Sequence, residues 1–123
     1  MQDHPSALAI LDLAVAHLRD NVLPTLDTRA KFEMRVTLGA LALVRRTMEL
    51  TPQSDAAEQV RLETLLGEVG ELEALNKLLC ERIRDGAADL TTPGLAEHLH
   101  ATALEKLAVD QPSYAAYRRA LEQ

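Results

Sequence analysis

Residues 32–50 read FEMRVTLGALALVRRTMEL, and the fold turns on how that stretch is covered. Its apolar side chains recur at spacings of three and four, the repeat of an α-helical face. At about 100° per residue, the plainly polar sector of this helix holds only Thr28, Lys31, Arg35, Arg46 and Glu49. Phe32, Met34, Val36, Leu38, Leu41, Leu43, Val44 and Met48 take up most of the rest. A helix apolar nearly all round is expected to be surrounded by others. It is therefore placed at the centre of a bundle, with Gly39 letting a neighbour approach closely.

The same spacing continues on both sides. A first helix is expected over residues 5–23, with Pro5 in its first turn and Pro24 ending it. The second opens on Asp27 or Thr28 and ends near Leu50, because Pro52 lacks an amide and collides with the preceding turn. Ser54 or Asp55 opens a third, with Asp55 and Glu58 in capping-box spacing, and Gly67 and Gly70 interrupt it. A fourth covers residues 71–85 and stops at a left-handed Gly86. A fifth is capped by Thr92, starts on Pro93 and reaches Asp110, and a short last helix follows Pro112. The spacing thus predicts an all-α chain: a single compact bundle of five to six helices around a central buried second helix. Residues 1–123 are expected to form one helical domain.

Charge excludes some partners. The net charge is −6, and the excess acid lies around SDAAEQVRLETLLGEVGELEAL, residues 54–75, as expected of solvated helix faces. Nucleic-acid binding needs clustered Lys and Arg, so none is expected. Apolar runs are broken by charge well short of a membrane span, and the opening MQDHPSALAI has no basic leader. A cytoplasmic protein with no membrane contact is expected. The lone Cys80 rules out an internal disulfide and has the setting of an inert thiol.

Polar residues on apolar faces are the candidates for function. Arg45 projects among Leu38, Leu41 and Met48, and Arg82 among Leu75, Leu78 and Leu79, with Asn76 at the margin. Lys106 lines up with Leu99, Thr102 and Asp110, and Tyr114 with Tyr117 on the last helix. Buried charge must be paired or neutralised. These groups are therefore read first as internal fasteners. The alternative reading is a small-molecule-binding or catalytic bundle, with a polar pocket between the second, fourth and fifth helices. Arg45, Asn76, Arg82, Lys106, Asp110 and Tyr114 are its candidate ligand-binding residues. His98 and His100 are two apart and point to opposite sides of a helix, so they cannot share an ion. His98 with Thr102 and Glu105, or Glu97 with His100, makes at most half a site. No glycine-rich phosphate loop, serine elbow or paired catalytic carboxylate is present, so no metal, cofactor or catalytic set is expected.

FEMRVTLGALALVRRTMEL, ELEALNKLLCERIRDG and HLHATALEKLAVDQPSYAAY together resemble an uncharacterised family of small bacterial all-helical domains. The Lys-Leu-Ala-Val-Asp run with its following Pro and Tyr is the most specific part. Gly39 departs from the pattern, which has a polar amide there. That family is found beside aminoglycoside-phosphotransferase-like kinases and acyl-CoA dehydrogenases. The lack of a catalytic set on a small helical scaffold leads to the expectation of a non-catalytic accessory or interaction module. The neighbourhood that the resemblance implies makes its expected partner a kinase-like protein or an acyl-CoA dehydrogenase. A homo-oligomer, formed through an Ala/Leu-rich face, is a further expectation.

Overall fold

The computed structural model describes residues 4–123. They form five α-helices and, among the described residues, no strand: α1 Ala7–His17, α2 Thr28–Leu66, α3 Leu72–Arg84, α4 Leu95–Asp110 and α5 Ala115–Leu121. The all-α expectation holds. Contacts divide the chain into two compact units, Met1–Glu49 and Leu50–Gln123.

In the first unit, the Ser6 hydroxyl accepts the amide of Ala9 and opens α1. A π-helical turn, Leu18–Val22, and a 3-10 turn, Leu23–Thr25, carry the chain round. Pro24 sits inside the second turn, where its fixed φ is tolerated. Asp27 then caps α2 by accepting the amide of Ala30 at 2.9 Å, as its side chain predicts. Arg45 of α2 donates to Asp12 of α1 at 2.7 Å and so fixes which side of α2 faces α1.

This half of α2 is not buried. No described residue of the first unit is fully buried, and Phe32 and Val36 are 67% and 59% exposed. The central buried second helix expected from the sequence is corrected here. One neighbouring helix can cover only one face, and residues on the far side of Arg45 keep theirs. A Cβ built at Gly39 meets nothing within 4 Å, so no neighbour approaches closely at that point either.

The second correction concerns Pro52, which lies inside α2 rather than ending it. The missing amide removes one rung, at the carbonyl of Met48. Breaking the helix there would instead leave up to four carbonyls and four amides to be satisfied at two new ends. Continuation is the smaller loss. Ser54, expected as a cap, donates its hydroxyl to the Leu50 carbonyl at 3.0 Å. The division between the two units falls beside this rung.

The second unit holds the core. Leu62 and Leu66 of α2, Leu75 and Leu79 of α3, Ala88 of the following turn and Leu95 of α4 pack together, and Leu62 has no exposed surface. α2 ends at Gly67, with φ of 69°, and Arg82 donates to the Leu66 carbonyl at 3.0 Å, satisfying one of the open groups of that end. Gln59 reaches back to the carbonyl of Gly70 and holds the turn on α2. Gly86 supplies the left-handed stop after α3, with φ of 78°. Thr92 does not cap α4. Its hydroxyl accepts the amide of Asp89, and Gly94, with φ of 86°, precedes the first helical residue.

These placements set two stability predictions. Leu62→Ala should cost about 2–5 kcal/mol, while Phe32→Ala should stay within about 0.5 kcal/mol, in urea unfolding of the whole chain. Pro52→Ala restores a rung and should raise stability, by up to about 3 kcal/mol. Loss of stability in Pro52→Ala would show that the proline is required for the packing beside it.

Candidate functional site

A groove of about 500 Å³ runs between α2 and α4. Val60, Arg61, Thr64 and Leu65 form one wall, two adjacent columns of the α2 surface one turn apart. Pro93 and Gly94, with Glu97, His98 and Ala101 of α4, form the other. The two walls stand close at the start of α4, where a Cβ on Gly94 would lie 3.7 Å from Leu65 Cδ1.

Behind the groove lies a polar cluster. The Arg61 guanidinium grips both oxygens of Glu105, Nη1 to Oε1 at 2.9 Å and Nη2 to Oε2 at 2.6 Å, and Nη2 also approaches the Thr102 hydroxyl at 3.4 Å. This two-pronged geometry is the strongest form an arginine–carboxylate pair takes. It joins α2 to α4. Asn76 of α3 donates to Glu58 of α2 at 2.8 Å and joins those two helices in turn. The Glu105 carboxylate holds the Arg61 guanidinium above its usual range, with smaller help from Glu58.

His98 is the buried polar residue of the unit, 3% exposed, and its Nδ1 has no hydrogen-bond partner. Burial pushes its imidazole below the ordinary value, and the positive charge of Arg61 pushes the same way, while Glu58 and Glu105 oppose it. The ring is therefore neutral at pH 7. The groove thus brings a neutral imidazole, a matched ion pair and an apolar wall together. Among the described residues, no three His, Cys, Asp or Glu side chains gather as they would round a metal ion.

The six candidates from the sequence fall elsewhere. Arg45 belongs to the first unit and is held by Asp12 and, at 2.5 Å, by Glu49. In the second unit, Asn76 is bound to Glu58, and Arg82 is divided between the Leu66 carbonyl and Glu68. Lys106, Asp110 and Tyr114 are exposed. None of the six lines the groove. Arg61, Glu58 and Glu105 were not singled out as site residues, although one signal was present. The His98–Thr102–Glu105 face, readable as half a metal site, is half of this cluster, and its other half is Arg61.

Two measurements test the cluster. A double-mutant cycle on Arg61→Ala and Glu105→Ala should give a coupling of about 1–2 kcal/mol, above that of an exposed pair. For His98, the folded imidazole binds its proton less readily than the unfolded one. Stability should therefore be level above pH of about 6.5 and fall as pH drops below it, by at most about 1.4 kcal/mol per pH unit. Replacing the imidazole in His98→Gln should flatten that slope between pH of about 6.5 and 5, read by urea midpoints.

No helix among the described residues is long and apolar enough to cross a membrane. The chain matches no curated protein and no solved structure. A family model does match, that of a domain of unknown function, DUF6285, over residues 24–114. The match takes in α2, α3 and α4 whole, with every residue of the groove and of the polar cluster behind it. Covering well over half of the chain, it establishes that this protein belongs to the DUF6285 family.

Proposed function

We propose that the chain is a non-catalytic interaction module that docks on an enzyme, either a kinase-like phosphotransferase or an acyl-CoA dehydrogenase. The observation that carries this reading is the uncovered face of α2. Phe32, Val36 and Leu43 fall within about 40° of one another on the helix, and Arg45, which faces α1, points about 180° away. Leu43 is 39% exposed, and Gly39 and Ala40 between these residues leave the face shallow enough for another helix to settle on. A row of exposed apolar side chains beside small ones fits the core of a protein interface. The fasteners support the same reading, because Arg45, Asn76 and Arg82 are engaged within the chain. The choice of partner comes from the family resemblance.

A second reading, a ligand-binding bundle, is favoured by the groove between α2 and α4. Its lining includes none of the six residues expected on the sequence.

The docking reading is tested by co-purification. Tagged chain should retain one of the two enzymes from the same cell at physiological salt, and a Val36→Glu/Leu43→Glu variant with unchanged circular dichroism should lose at least about tenfold of that recovery. Recovery of neither enzyme, or equal recovery by the variant, refutes it.

A further inference from the structure

Two side-chain nitrogens in the described residues are buried without a hydrogen-bond partner, Arg61 Nε and His98 Nδ1. Both belong to side chains that line the groove between α2 and α4. Buried polar atoms are nearly always satisfied, so two unsatisfied nitrogens on neighbouring side chains point to an absent acceptor.

The atoms define what that acceptor is. Arg61 Nε can only donate, since the guanidinium keeps its protons, and the Nδ1 of a neutral imidazole donates in one of its tautomers. An occupant must therefore bring an oxygen that accepts. Charge narrows the choice further. The guanidinium is already matched by Glu105, Glu58 acts on it as well, and Glu97 stands exposed at the rim. Paired in this way, the guanidinium is a poor anchor for an anion. A cation would bring more donors to a place that already has them in excess. Val60, Leu65, Pro93 and Ala101 offer an apolar bed, and the volume of about 500 Å³ suits a small ligand.

We infer that this groove binds a small uncharged molecule with an apolar body and a carbonyl oxygen, the oxygen accepting from Arg61 and His98. Both nitrogens are shielded from solvent, so an oxygen in the groove reaches them only when the two side chains turn toward it. The inference rests on the ligand-binding reading and is independent of the docking face in the first unit.

Three molecules of one shape separate the possibilities on the full chain: 4-phenylbutan-2-one, 3-phenylpropanoate and 4-phenylbutan-2-amine. In proton–nitrogen NMR the ketone should shift the amides of Thr64, Gly94, His98 and Ala101 saturably. Its affinity should exceed that of the carboxylate and of the amine by about tenfold or more. Ala101→Phe, which fills the groove, should abolish the shifts. Thr64→Phe fills it from an exposed position on α2 and serves if Ala101→Phe loses its fold. Val36→Glu/Leu43→Glu should bind the ketone unchanged, so failure here and failure of docking are told apart. Equal binding of the three molecules, no saturable shift up to the ketone's solubility, or binding that survives the groove-filling variants overturns the inference.

Discussion

Leu62 loses all of its surface because α3 and α4 both close on the same stretch of α2. The second unit is organised round that contact. Leucines from the three helices meet on one side of α2, which leaves the adjoining side to Arg61 and its neighbours. Burying the leucines brings polar side chains inward with them, and these must find partners or lose hydration uncompensated. Glu105 meets Arg61, Glu58 meets Asn76, and the carbonyl at the end of α2 meets Arg82. The ionic groups follow from the hydrophobic packing and then fix its register. His98 is the exception, kept neutral by the burial that leaves its Nδ1 unbonded.

The first unit follows a different rule. Two helices and a turn bury no described side chain fully, and Arg45, bound to Asp12 and Glu49, remains part-exposed. Pairs of that kind contribute little to stability. The apolar strip on this side of α2, which includes Leu38 and Leu41, is half-buried. The opposite strip has no such cover.

Much of this was legible in the chain. Asp27 as a cap, Gly86 as a left-handed stop and Asp110 as the last residue of α4 are local effects, and each follows from one side chain or its absence. Pro52 reads as a stop because its penalty is local, whereas the cost of two new helix ends is shared among many groups. The burial of residues 32–50 is not legible for another reason. Periodicity tells which side chains are apolar but not how many neighbours are available to cover them. In the site, the face shared by His98, Thr102 and Glu105 was visible in the spacing. Its counterpart Arg61 lies 44 residues from Glu105, and no local pattern links the two.

The shared family segment begins at residue 24, after α1 has ended. α1 lies outside the matched segment, and the Asp12 contact of Arg45 with it. A chain composed of the common segment alone would show two greasy flanks on this part of α2 instead of one.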